Sequence, residues 1–283
     1  MDRDEFEKRN FLKAFIPDYI DGWLIIGVIH LLSHMPVTKT KRFNNRCINT
    51  KVIEKAYKQG KYIENQNSIV WDNIKYGIST MGKSGCGVMA VANAYTALGY
   101  SLSGEELLYL ISAFEKKGVV LLGKWGTTLK SVTIYFSSSF YRKRFWKEYE
   151  LGSACKNDKN HELSGFEVKT IVGDSSKKLD ELGEWSDVVV ASVFNDKINI
   201  LKGIHTFTVE KRKNKAGKIC FVAHNTALFH DVNKNGIYDE GIDYFIESNE
   251  YLTLKEAIDD STHTKSKFHR AKNIIATGIR LNN

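Results

Sequence analysis

Proline is almost absent from this chain: Pro17 and Pro36 are the only two in 283 residues. Together with 42% hydrophobic residues, that scarcity describes a packed globular protein and excludes a disordered one. Cysteine is sparse as well. Cys47, Cys86, Cys155 and Cys220 stand far apart with no C-x-x-C pair, which excludes a zinc ribbon and a thioredoxin-like motif and demands no disulfide framework. Long apolar runs are missing too: Trp23 to Leu32 covers roughly half of the ~20 residues that a membrane span needs. The opening Met1-Asp2-Arg3-Asp4-Glu5 lacks the basic stretch of a secretory signal. The expectation is a chain without a transmembrane segment or signal peptide, either cytoplasmic or exported by another route. The formal charge of +8 suits contact with an anionic surface, although scattered surface lysine gives the same total.

What the chain does have is a thiol placed where a turn becomes a helix. Ser84-Gly85-Cys86-Gly87 leads into Val88-Met89-Ala90-Val91-Ala92-Asn93-Ala94-Tyr95, where Val88, Val91, Ala92 and Tyr95 fall on one helical face. Cys86 then sits at or near the helix N-terminus, where unpaired amides and the positive end of the macrodipole favour a thiolate. Gly85 and Gly87 leave room for a scissile carbonyl, and the Cys86 amide could point into an oxyanion site. Two readings fit this motif alone: a nucleophile, and a buried cysteine beside a helix cap.

Along the chain, residues 4–34 read as helical with a break near Pro17, and Val37 to Arg46 as a basic, polar link. This divides the chain into an N-terminal helical extension, residues 1–48, and a main domain, residues 49–283. A second helix begins at Ser103, where Ser103-Gly104-Glu105-Glu106 has the capping-box pattern, and a third covers Thr128 to Trp146. The charged segment Gly152 to Ser164 precedes a strand-rich half. Strands are expected at Phe166–Val172, Asp187–Phe194, His205–Arg212, Lys218–His224, Tyr244–Glu247 and Ile274–Leu281, with a short helix at Leu252–Asp260. Helices first and an antiparallel sheet second make an α+β arrangement.

A cysteine nucleophile needs a base within reach and a third group to orient that base. His205 opens one strand and Asn225 closes the next. If the Asn214 to Gly217 turn joins them in a hairpin, the two are cross-strand neighbours, with the Asn225 amide oxygen accepting the imidazole N–H.

On these residues the chain resembles the papain-like cysteine peptidases, and among them the family that includes the bacteriocin-processing, double-glycine-leader proteases. The resemblance spans about Asn65 to Leu281. It rests on Asn65-Gln66, Trp71, Tyr76-Gly77, Ser84-Gly85-Cys86-Gly87, the segment Gly123-Lys124-Trp125-Gly126-Thr127-Thr128, and the His205 and Asn225 strands. It implies a papain-like α+β fold, with the cysteine helix packed on an antiparallel sheet. It also implies a peptide or protein substrate, Cys86 as nucleophile, His205 as general base and acid, Asn225 as the orienting residue, and Gln66 as side-chain donor to the oxyanion hole. Two departures bear on substrate preference: Val88-Met89-Ala90 replaces the family's small polar run, and Asn225-Thr226 replaces its Asp-Pro. The same triad would serve a cell-wall amidase or toxin module. A catalytically silent papain-like binding module is the alternative from another class.

Two further segments carry separate expectations. Asp231, Asn233, Asn235 and Asp239 occupy the first, third, fifth and ninth places of a calcium loop with Gly236 at the sixth, but Ile242 stands at the twelfth where such loops have glutamate. A weak structural calcium site and a polar hairpin tip on Asn235-Gly236 both fit; no cofactor is required by the proposed chemistry. Phe140-Tyr141-Arg142-Lys143-Arg144-Phe145-Trp146-Lys147 mixes aromatic and basic residues, yet helical spacing gives it one buried side, so a nucleic-acid partner is not expected. His224, His230 and Asp231 lack the spacing of transition-metal ligands.

Overall fold

The computed structural model describes residues 35–119, 121–124, 126–137, 166–194, 204–226, 229–230, 232–233, 242–245, 247–260 and 272–281. The expected N-terminal helices at 4–34, the end of the third helix beyond 137 with its aromatic and basic stretch, and the charged segment 152–164 lie outside them.

The first half is helical. In chain order come α1 (Lys39–Thr50), α2 (Ile53–Ala56), α3 (Ile69–Asp72), the short hairpin β1 (Lys75–Tyr76) and β2 (Ser79–Thr80), α4 (Met81–Ser84), α5 (Cys86–Ala97), α6 (Gly104–Lys117) and α7 (Leu129–Ser137). The second half supplies β3 (Phe166–Val172), α8 (Ser176–Trp185), β4 (Val188–Phe194), β5 (Ile204–Lys213), β6 (Ile219–His224), β7 (Phe229–His230), β8 (Tyr244–Phe245), α9 (Leu254–Asp260) and β9 (Lys272–Leu281). This is a mixed α+β architecture. Its main sheet has the order β3-β9-β4-β5-β6 with every pair antiparallel.

Local chemistry fixes the ends of these elements. The capping box of α6 is complete: the Ser103 hydroxyl accepts from the Glu106 amide at 3.2 Å, and the Glu106 carboxylate accepts from the Ser103 amide. In the β5–β6 turn, the Asn214 side-chain oxygen accepts from the amides of Ala216 and Lys218, each at 3.0 Å.

The expected polar link is instead helix α1, and position 48 falls inside it. Its inward face consists of Arg42, Asn45 and Asn49, at helical spacing but polar. Asn45 donates to the Gly77 carbonyl at 2.9 Å and to the Glu115 carboxylate at 2.6 Å, while Asn49 and the Lys75 backbone bond reciprocally at 2.7 and 2.9 Å. Hydrogen bonds thus do here what apolar contacts do elsewhere. A second element not expected from the sequence is α8, a charged helix that buries only Leu179, Leu182 and Gly183.

The sheet separates two cores. Alternation along β4 sends Val188 and Val190 toward the helical half, and Val189, Ala191 and Val193 toward the core that α8 and α9 cover. Helix α5 lies between the sheet and the other helices, so every residue from Gly87 to Tyr95 is buried rather than one face alone. The Thr208 hydroxyl donates to the Ala90 carbonyl at 2.7 Å. That bond contributes about 1 kcal/mol net, whereas each fully buried large apolar side chain contributes ~1.5–3 kcal/mol. Packing therefore drives the docking of α5 on β5, and the hydroxyl fixes its position along the strand. Among the described residues no helix is long and apolar enough to cross a membrane.

Candidate active site

Cys86 is the first residue of α5 and is partly exposed at its start. The turn before it is tight. A Cβ on Gly85 would lie 2.6 Å from the Met81 carbonyl oxygen, and one on Gly87 would lie 2.7 Å from Thr127, so the cysteine is flanked by two positions that close approach reserves for glycine. Lys124, Gly126 and Thr127 close over this turn. The Ser84 hydroxyl donates to the Lys124 carbonyl at 3.1 Å, and the hydroxyls of Tyr76 and Thr127 share a hydrogen bond of 2.9 Å.

His205 is the second residue of β5, opposite Val193 of β4. The hairpin register is Thr208 opposite His224, closing through Lys213 opposite Ile219. Asn225 follows the last paired residue and stands nearer Phe207 than His205, so the expected direct cross-strand pairing does not form. The contact arises differently. Asn225 leaves the strand in the left-handed region, at φ 66°, and turns its backbone carbonyl to within 2.7 Å of His205 Nε2. A carbonyl only accepts, so Nε2 carries the hydrogen and Nδ1 is the nitrogen left to face the thiol. The expected acceptor was the Asn225 side-chain amide; the main-chain oxygen takes that place.

The Asn225 side chain turns to Gln66. Its Oδ1 accepts from the Gln66 amide at 3.0 Å and its Nδ2 donates to Gln66 Oε1 at 3.3 Å. Gln66 Nε2 donates to the Gly82 carbonyl at 3.0 Å, four residues before Cys86. Gln66 therefore bridges Asn225 and the turn that carries the cysteine. Cys86, His205, Asn225 and Gln66, drawn from four separate stretches of chain, converge on one site.

The electrostatics favour an ion pair. Burial alone would raise the Cys86 thiol, but hydrogen bonding to His205, the imidazolium charge and hydrogen bonds from Thr206 outweigh it and hold the thiol below its ordinary value. Burial likewise opposes a charged His205, and the Cys86 thiolate with the Asn225 carbonyl outweighs that, raising the imidazole above its ordinary value. A thiolate facing an imidazolium is the nucleophile and proton donor that acyl transfer requires.

Thr206 escaped the sequence reading. Its hydroxyl bonds that of Ser192 at 2.9 Å and reaches Cys86 from the strand face that also carries Thr208. Period-two alternation from Thr208 would have found it. Of the calcium-loop residues, Asp231, Asn235 and Asp239 lie outside the described residues, whereas Asn233 lies within them; the Val232 amide beside it donates to Asp243 at 2.8 Å. Among the described residues no cluster of three His, Cys, Asp or Glu side chains is disposed to hold a metal ion.

No family model, curated protein or solved structure matches the chain.

Proposed function

We propose that this protein is a papain-like cysteine peptidase that hydrolyses peptide bonds through a thioester acyl-enzyme. The observation that carries the reading is the contact of Cys86, at a helix N-terminus, with a His205 whose Nε2 is held by the Asn225 carbonyl at 2.7 Å. The Cys86 thiolate attacks the scissile carbonyl carbon, forming a C–S bond and an oxyanion. The Cys86 amide, unpaired within its helix, donates to that oxygen, as does the second hydrogen on Gln66 Nε2, the first being taken by Gly82. The His205 imidazolium gives its proton to the leaving nitrogen and the C–N bond breaks. Neutral His205 then removes a proton from water, which attacks the thioester and releases acid and thiolate.

The test is intact-protein mass after exposure to an epoxysuccinyl thiol-peptidase inhibitor, with Cys86→Ala and His205→Ala variants alongside. Single labelling that requires both residues supports the reading. Folded wild-type protein that takes no label defeats it and favours a silent binding module of the same fold. The tie between Gln66 Nε2 and Gly82, which engages the expected oxyanion donor, is the observation on that side.

A further inference from the structure

Beside the candidate site lies a buried charged cluster that the proposed chemistry does not use. His224, the residue before Asn225, has no solvent exposure. Its Nδ1 is 2.7 Å from Glu64 Oε1 and its Nε2 is 3.3 Å from Glu210 Oε2. A neutral ring would turn a lone pair toward one of these carboxylates, so the arrangement calls for an imidazolium donating from both nitrogens. The ring stacks on Tyr62, with centroids 3.6 Å apart and planes 6° from parallel.

The groups facing His224 are Glu64 and Tyr62 from the segment before α3, and Glu210 from β5. Tyr62 hydrogen-bonds Glu210, and Arg212 Nη1 lies 3.5 Å from Glu210 while donating to Glu247 Oε2 at 2.9 Å, with Nη2 donating to Glu247 Oε1 at 2.5 Å. Glu250 lies 3.9 Å from Arg212. Burial disfavours a charged His224, but its hydrogen bonds to Glu210 and Glu64 outweigh burial and raise the imidazole above its ordinary value.

Such a cluster is a costly way to hold two strands together, because desolvating three charges offsets much of their attraction. Its geometry points elsewhere. The second oxygen of Glu64 accepts the Asn225 amide at 3.2 Å, while the Gln66 amide holds the Asn225 side chain. Asn225 is thus gripped on both sides in the left-handed conformation, which asparagine tolerates better than most residues and which these bonds hold in one orientation.

We propose that Glu64 and His224 are positioning residues: the imidazolium of His224, clamped between Glu64 and Glu210, fixes the Glu64 carboxylate on the Asn225 amide and thereby aims the Asn225 carbonyl at His205. The inference rests on the peptidase reading for its consequence in catalysis, and on the geometry alone for the alignment of His205.

Two measurements test it on the full chain. The first is the rate of Cys86 alkylation by iodoacetamide between pH 4 and 10 for wild type, Glu64→Gln, His224→Gln and Leu254→Ala. Leu254 lies in the core on the other face of the sheet and controls for lost stability. Glu64→Gln and His224→Gln should move the acid limb toward the ordinary thiol value and slow alkylation at pH 6 about tenfold or more, the factor that one pH unit of thiolate depletion gives. Leu254→Ala should lower the melting temperature and leave the limb in place. An unmoved limb in both folded variants overturns the proposal.

The second is nitrogen-15 NMR of the histidine rings, which needs no reactive thiol. His224 should stay doubly protonated above the pH at which an ordinary imidazole loses its proton, and the His205 Nε2 signal should shift in Glu64→Gln. A neutral His224 ring, or a His205 signal indifferent to Glu64→Gln, overturns the proposal even if neither variant yields alkylation data. A wild-type Cys86 no more reactive than Cys47 would instead overturn the peptidase reading, and the ring signals would still decide the alignment.

Discussion

The main-chain oxygen of Asn225 lies 2.7 Å from Nε2 of His205, while the side chain of the same asparagine is bonded to Gln66. One residue therefore serves two partners with two different groups. The carbonyl is present whatever the side chain, so what residue 225 must supply is a backbone able to hold φ 66°.

Asn225→Gly should accordingly retain more activity than Asn225→Ala. Glycine adopts the left-handed region freely, whereas alanine is strained there by roughly 1–2 kcal/mol. Denaturant midpoints should order wild type above Asn225→Gly above Asn225→Ala, and Cys86 alkylation rates at pH 6 should follow the same order. An alanine variant that matches the glycine variant would show that the amide side chain is what orients His205.

The rate of Cys86 modification should rise on an acid limb below the ordinary thiol value, as the thiolate forms, and peptidase activity should fall on an alkaline limb above the ordinary imidazole value, as His205 loses its proton. The signs follow from the lowered thiol and the raised imidazole. Thr206→Val removes a hydrogen bond to the thiolate, a change of about 1 kcal/mol or roughly fivefold at the acid limb. A Thr206→Val profile superimposable on wild type would remove Thr206 from the site.

Gln66→Ala should lower kcat by about 10²–10³, the loss expected for one oxyanion donor. Alkylation by iodoacetamide, which passes through no oxyanion, should change far less. Equal losses in the two assays would mean that Gln66 acts by holding Asn225 and the Gly82 turn.

Glu115 gives a prediction about stability. Its buried carboxyl is pushed up to about 7, chiefly by desolvation, with the Gly77 amide and Asn45 pulling the other way. Between its ordinary 4.5 and about 7 the folded protein keeps a proton that the unfolded chain has released, so stability falls as pH rises through that window. The amount is on the order of 3 kcal/mol. Glu115→Gln keeps an acceptor for Gly77 and Asn45 but cannot ionise. Urea midpoints should therefore match wild type near pH 5 and exceed it at pH 8. A variant less stable than wild type at pH 8 would contradict this.

The parts of the site that were legible in the sequence announce themselves locally. Glycine on both sides of Cys86 before a run of small apolar residues signals a tight turn into a buried helix, and the Ser103 and Glu106 pair marks a cap within four residues. The register of β5 and β6 was harder. It depends on how Asn214 closes the turn, and moving the pairing by two residues separates His205 from a position opposite Asn225. Helix α1 looks like a link in the sequence because its buried face is polar, and hydrophobic periodicity does not register Arg42, Asn45 and Asn49 as an inward stripe. The pairing of Glu64 with His224, a residue the sequence offers only as a poor metal ligand, is hidden for a related reason: a carboxylate and an imidazole 160 positions apart carry no pattern until the fold brings them together.

The placement of β9 bears on when the sheet can close. This strand is made after every other element described, yet it runs between β3 and β4, pairing with both. Until the ribosome has released residue 281, β3 and β4 have no bridge, and the sheet that presents His205 to the cysteine helix is incomplete. The thiol and its base, encoded more than a hundred residues apart, thus belong to a sheet whose halves are joined by the last strand described, and the site is fully supported only once that late strand has threaded between two earlier ones.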